Sequence, residues 1–351
     1  MMNWKDKSLR WFLLWLLLLC LVAYSHAQRF PDERVHELLI AGNDLGLKQR
    51  YDEEYSKFEK IVQLRPESPV GYLYQAAVLE AKSTDYETEM EGEKLESLLD
   101  KAIELSRKMV ERNDKDPWGY YFLGIAFISY ANYHIRIDNW IRGANYGFKA
   151  KKEFERCIEV DSTFYDAYVG LGTFRYWRSR KTEPLNWLPF LGDDREEGIR
   201  FIKITIEKGT YNKYQAIHSL VWILIDAARY DEAITYSKKA LEAYPTSRFF
   251  LWGLARAYEN RDPKTARELY RELLNSVTSE KINNHYNEIV LHYIIAKLSY
   301  ELGDYPTALK ECQTVLSYNN LDADVKQRLE ERMEHTKKLM NDVMKKMQGA
   351  R

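Results

Sequence analysis

His285 and His292 stand seven residues apart, on one face of a helix and two turns from each other. Two imidazoles on one face can share a metal ion only when they are close. Helix rise separates this pair by about 10 Å, which is too far for one ion. No HExxH or CxxC pattern supplies the convergent ligands that zinc needs. His134 and His218 are isolated, and each reads as a structural or groove histidine. Cys157 and Cys312 lie in distant parts of the chain, each at an apolar position of a helix pattern, so both are expected as buried small hydrophobes rather than as a disulfide. Asp193-Asp194 and Glu196-Glu197 offer paired carboxylates for acid-base work. They sit at a helix start, however, where acids favour the positive end of the helix dipole. There is no Walker sequence, no nucleophile elbow and no glycine-rich loop after a strand pattern. No catalytic residue, metal or cofactor is therefore expected, and the chain does not read as an enzyme.

What the chain has in abundance is aromatic surface: 26 Tyr, 9 Trp and 13 Phe in 351 residues. The elements that must position it repeat. Tyr51-Asp52-Glu53-Glu54-Tyr55 leads to Phe58 and Ile61 and stops at Pro66. Tyr230-Asp231-Glu232-Ala233 leads to Ser237 and Ala240 and stops at Pro245. Asp304-Tyr305-Pro306-Thr307-Ala308 leads to Cys312 and Val315. Ala150, Phe154 and Cys157 keep the same offsets, as do Ala266, Tyr270 and Leu273, which puts each set on one helix stripe. Each such helix follows another in which a bulky residue precedes an apolar and then a small one: Tyr120, Leu123, Gly124; Tyr168, Leu171, Gly172; more weakly Leu38, Ala41, Gly42. The small residue lets the second helix approach closely.

These residues resemble the tetratricopeptide repeat (TPR) family, whose unit is a helix-turn-helix of roughly 34 residues. The resemblance implies an all-α, right-handed solenoid of helix hairpins. Seven hairpins are expected over residues 28–320, starting near Arg34, Pro69, Pro117, Phe164, Tyr211, Ser247 and Ile282. Residues 321–351 hold a capping helix, from Asp322 to Met347, and a tail. The second and third units have long connections, and the fourth carries an insertion. Within the fourth, Gly170-Leu171-Gly172-Thr173-Phe174 followed by Leu188-Pro189-Phe190-Leu191-Gly192-Asp193-Asp194-Arg195 is similar to a TPR-like eukaryotic family associated with the outer mitochondrial membrane. That likeness suggests only that the loop is ordered. The insertion, Arg178 to Leu191, has an apolar tip (Leu185, Trp187, Leu188, Phe190, Leu191) that either docks a partner or membrane surface or folds back as a plug.

In a TPR stack the first helix of each hairpin lines the groove. Projecting the pattern puts Tyr121 and Ile125 there from the third unit, and Thr173, Tyr176 and Trp177 from the fourth. The fifth supplies His218, Trp222 and Asp226, the sixth Trp252, Arg256 and Glu259, and the seventh Tyr293, Lys297 and Tyr300. Large aromatics beside Arg or Lys are enriched at binding hot spots. The competing expectation is that these aromatics pack the inside of a tight superhelix. The carboxylate clamp of chaperone-linked TPR proteins pairs Lys with Asn. Here Asn43 stands at such a position without its Lys, so that clamp is not expected, although Arg256 and Lys297 remain able to receive an anion.

Lys plus Arg number 52 against 53 Asp plus Glu, a net charge of -1. This argues against nucleic acid as a partner, because phosphate neutralisation supplies most of that affinity. Residues 1–27 read as a secretory signal: Lys5, Lys7 and Arg10, then the apolar run Trp11 to Val22, then Ser25-His26-Ala27 with cleavage after Ala27. The alternative is an uncleaved anchor, for which the run is short. Leu19 before Cys20 does not fit a lipoprotein. No Asn-x-Ser/Thr sequon occurs, which favours a bacterial periplasm. The expectation is an exported, non-catalytic TPR scaffold for a protein or peptide, with no membrane span once the signal is cleaved. Binding of a sugar or other small ligand by an aromatic groove is the alternative, and an enzyme built from scattered residues is the third reading.

Overall fold

A computed structural model describes residues 28–89, 91–185 and 192–349. Everything described is helix, turn or loop, without a strand. The helices follow one another as antiparallel neighbours: α1 (Glu33–Leu47) with α2 (Tyr51–Leu64), α3 (Pro69–Tyr86) with α4 (Gly92–Arg112), and α5 (Pro117–Arg136) with α6 (Trp140–Val160). Then come α7 (Tyr168–Lys181) with α8 (Arg195–Lys208), α9 (Lys213–Asp226) with α10 (Tyr230–Ala243), α11 (Arg248–Tyr258) with α12 (Pro263–Thr278), and α13 (Tyr286–Glu301) with α14 (Tyr305–Ser317). A long final helix, α15 (Ala323–Gly349), packs on α14 and α13. The result is an all-α hairpin solenoid.

Local chemistry sets the helix ends. Pro opens α3, α5 and α12 at the position where a missing N–H costs nothing. Asp32, Asp116, Asp262 and Asp304 cap their helices by accepting backbone N–H bonds. The turns after α1, α5, α9 and α13 share one construction. A left-handed residue (Gln49, Asp138, Ala228 or Gly303) reverses the chain, and the next N–H reaches back to the last helical turn.

Within hairpins, the small residues work as the pattern implies. A side chain on Gly172 would run into the backbone oxygen of Gly198, 2.5 Å from its Cβ, and into Ile202. Gly124 faces the ring of Phe154 in the same way. Successive first helices (α3, α5, α7, α9, α11) touch one another and therefore lie on the inside of the curve; no described second helix packs comparably on the next.

The two halves of the chain close on each other. Asp166, buried before α7, accepts the backbone N–H groups of Thr210, Tyr211 and Asn212 and so fixes the start of α9. Tyr211 in turn receives the Phe30 backbone N–H and contacts the His36 ring nitrogen at 2.5 Å. Arg248 at the start of α11 is 3% exposed. It bonds both Asp85 carboxylate oxygens at the end of α3, and also Ser276 and Glu280 at the end of α12. The side chain of Gln49 accepts the Arg248 backbone N–H and donates to Ser247. Asn284 and Asn287 donate to backbone oxygens of Glu87 and Asp85, and Arg328 of α15 pairs with Glu87. The first turn of the solenoid thus carries the leading edge of the second.

Residues 1–27, read above as a signal, and residues 186–191, most of the insertion's apolar tip, lie outside the described residues. The base of the insertion is pinned by ion pairs of Arg178 with Asp194 and of Arg180 with Glu183 and Asp226.

Candidate interaction groove

α9 and α11 lie side by side on the inner row, and each presents an aromatic stripe. On α9 the buried positions Ile217, Leu220, Val221 and Leu224 point to neighbouring helices, which leaves His218 and Trp222 half-buried on the remaining face. The same logic on α11 buries Leu251, Leu254 and Ala255 and leaves Phe249 and Trp252 half-buried and Arg256 exposed.

These side chains meet. The Trp222 indole N–H donates to His218 Nε2 at 3.0 Å, so the imidazole carries its own proton on Nδ1. The His218 ring stacks on Phe249 with centroids 3.7 Å apart and planes 12° apart. Burial pushes the imidazole down to about 3, which keeps it neutral. Its free lone pair is already occupied, so His218 serves as an acceptor that orients Trp222 rather than as a base or metal ligand. Trp252 makes an edge contact with Tyr270, 6.0 Å between centroids. Arg256, half-exposed, pairs with Glu259 at 2.5 Å, and Glu259 also accepts the Tyr270 hydroxyl. The stripe therefore runs from a neutral aromatic cluster to a surface guanidinium.

The other expected groove residues are placed differently. Tyr121 does not line a groove. It is 0% exposed, packed among Trp118, Phe122 and Phe164, and its hydroxyl accepts from Asn212 at 2.8 Å. Tyr176 is likewise 1% exposed, its hydroxyl bonded to Asp226 at 2.6 Å. For Tyr121 the signal was the composition of α5, which is apolar around most of its circumference, as a helix surrounded by protein must be. Trp177 is half-buried beside Tyr176, in the same cluster as Leu47 of α1. Tyr293 is half-buried, with the Arg332 guanidinium of α15 5.0 Å from its ring centroid, so the capping helix takes one of its faces. Lys297 is exposed, 3.7 Å from Glu301. The stripe accordingly centres on His218, Trp222, Trp252 and Arg256. Phe249 was missed, although its place three residues before Trp252 puts it on the same face.

No reactive cluster accompanies the stripe. His285 and His292 each contact a carboxylate, Glu288 at 2.7 Å and Glu311 at 2.5 Å, and no group of three metal-binding side chains occurs among the described residues. Cys157 and Cys312 are free and buried, and burial pushes both thiols up, Cys312 to about 11. A cleft of about 520 Å³ between the ends of α7 and α9 and the start of α8 is lined by Arg180, Arg195, Arg229, Glu183, Asp193, Glu196 and Asp226. Its charges are consumed pairwise: Arg180 with Asp226, Arg195 with Asp193, Arg229 with Glu196. Hydrogen bonding from Arg195 holds the Asp193 carboxyl below its usual range.

No protein-family model matches the sequence, and no curated protein does. Solved structures match the fold. The APC/C hetero-tetramer Cut9–Hcn1 aligns over 88% of this chain and 55% of its own, with a TM-score of 0.52 and 15% identity. This chain thus spans about half the length of that protein. PilW, described as a widely conserved type IV pilus biogenesis factor, aligns over 72% of this chain and 98% of its own (TM-score 0.46, 14% identity). A thermophilic TPR protein from Thermus thermophilus aligns over 64% and 98% (TM-score 0.41, 18% identity). The fold is that of an all-α solenoid of helix hairpins.

Proposed function

We propose that the chain is a non-catalytic scaffold that holds a protein or peptide partner along the His218–Trp222–Phe249–Trp252–Arg256 stripe. One observation carries the reading: two adjacent inner helices present half-buried aromatics that hold one another in place and end at an exposed guanidinium. Rigid aromatics with a polar tip give contact area at low entropic cost. A sugar site needs parallel rings with space between them. Here His218 and Phe249 already stack on each other, and Trp222 stands at 73° to His218, which favours a peptide over a sugar.

The signal-like character of residues 1–27 supports a cell-envelope setting for this scaffold, as an exported protein starting at Gln28. Mass spectrometry of the processed chain tests that: a retained Met1 or a lipid on Cys20 refutes it. The binding reading is tested by selecting a displayed random-peptide library on the full chain, with the Trp222→Ala/Trp252→Ala protein as counter-target. Enrichment of sequences that bind the wild type alone is expected. Equal recovery on both proteins refutes the groove.

A further inference from the structure

A second surface, at the start of the second-row helix α6, has no place in that reading. Exposed large apolar side chains are scattered singly over the described residues, except between 135 and 148. There Ile135, Ile137, Trp140, Ile141 and Phe148 occur together. Trp140 is 58% exposed, Ile141 82% and Phe148 55%. With Ala144 they form one stripe of α6, at offsets of one, four and eight residues, spanning about 12 Å by helix rise. The opposite face of α6 is spoken for, since Gly143, Ala150, Phe154 and Cys157 are buried in the hairpin. The outer stripe changes character abruptly at Lys152, and from there it reads Glu155, Arg156, Glu159. Phe148 spends one edge on Phe174 of α7, 5.3 Å between ring centroids, but Trp140 and Ile141 stay mostly in solvent, and exposed apolar patches mark interaction sites.

Along the patch's own stretch of α6 the charge is positive, with Asp138 and Glu153 as its acidic borders. Asn139 to Lys152 holds Arg142, Lys149, Lys151 and Lys152 and no acid. Lys151 is paired with Glu155, but no ion pair holds Arg142, Lys149 or Lys152 among the described residues. Lys149 instead lies 4.6 Å from the Tyr146 ring centroid. Trp, Ile and Phe ringed by cations is the composition of a surface that sits at the interface of a bilayer, apolar side chains in the acyl boundary and cations on the headgroups. A second copy of the chain fits badly, because a twofold contact would bring the cations of one patch against those of the other.

We infer that the start of α6 docks the solenoid on an anionic lipid surface, with Trp140, Ile141 and Phe148 entering the interface and Arg142, Lys149 and Lys152 meeting lipid phosphates. The test uses the full chain with Cys20→Ser and Ile141→Cys, labelled with an environment-sensitive nitrobenzoxadiazole probe. Cys157 and Cys312 are buried and stay unlabelled. A probe at Lys239→Cys, exposed on α10, serves as control. Because the readout is local, any contribution of residues 1–27 to vesicle binding does not obscure it. On phosphatidylcholine vesicles containing phosphatidylglycerol, the 141 probe shifts to the blue and is quenched by a bilayer-borne quencher, while the 239 probe does neither. Omitting phosphatidylglycerol, or combining Arg142→Glu, Lys149→Glu and Lys152→Glu in a protein of unchanged thermal midpoint, weakens the response more than about tenfold. A 141 probe that stays in water on anionic vesicles overturns the inference. So does an equal response without phosphatidylglycerol, or a response to soluble polyglutamate in place of vesicles, which makes the patch a protein site.

Discussion

His218 shows how one residue can look like chemistry in sequence and be architecture in the fold. An isolated histidine on an amphipathic helix is consistent with a ligand, a base or a packed ring. Only the structure shows its lone pair taken by Trp222 and its ring face covered by Phe249. The consequence is a pH dependence of definite sign. With the imidazole pushed down to about 3, the unfolded chain binds its proton first as the pH falls. The stability that the neutral ring contributes is complete above the ordinary histidine value and is lost progressively from there toward about 3. His218→Gln keeps an acceptor for Trp222 and removes the titration. Urea unfolding between pH 6.5 and 4 should show the wild type losing stability faster than the variant, by up to about 1.4 kcal/mol per pH unit. Parallel profiles contradict the assignment. Arg256 and Trp222 were legible as site candidates because helical spacing fixes their face. Tyr121 was misread, because spacing gives the face of a helix and not what later folds against it.

At the scale of the element, the sequence carried the most. Small and large residues at fixed offsets specify hairpins, and the crossing of α7 with α8 at Gly172 is the clearest case. A Cβ there meets backbone, which cannot rotate away as a side chain can. Gly172→Leu should therefore lower stability by more than about 2 kcal/mol, read as a drop in thermal midpoint. An unchanged midpoint would mean that the helices tolerate separation. The outer stripe of α6 was not legible: its alternation with Arg142 and Lys149 resembles an ordinary surface helix, and only the exposure of each side chain in the fold separates Trp140 and Ile141 from residues that pack.

The whole molecule adds what no repeat pattern encodes, the contact between the first hairpins and the last. Arg248 is the joint, itself buried and paired with the nearly buried Asp85 at the end of α3 and with Glu280 just past α12. Removing it leaves buried carboxylate without its partner, so Arg248→Ala should cost about 3–5 kcal/mol. The exposed pair of Lys82 with Asp52 sets the contrast: Lys82→Ala should change stability by less than about 1 kcal/mol. Equal effects in chemical denaturation would show that the halves do not depend on this contact. The central claim is that the aromatic stripe of α9 and α11 binds a partner, and calorimetric titration with a selected peptide tests it most directly. Trp252→Ala and Arg256→Ala should each weaken binding about thirtyfold, the loss of a hot-spot side chain of about 2 kcal/mol, with helicity and melting temperature nearly unchanged. Unchanged affinity in both variants, or affinity lost only together with the fold, would contradict the account.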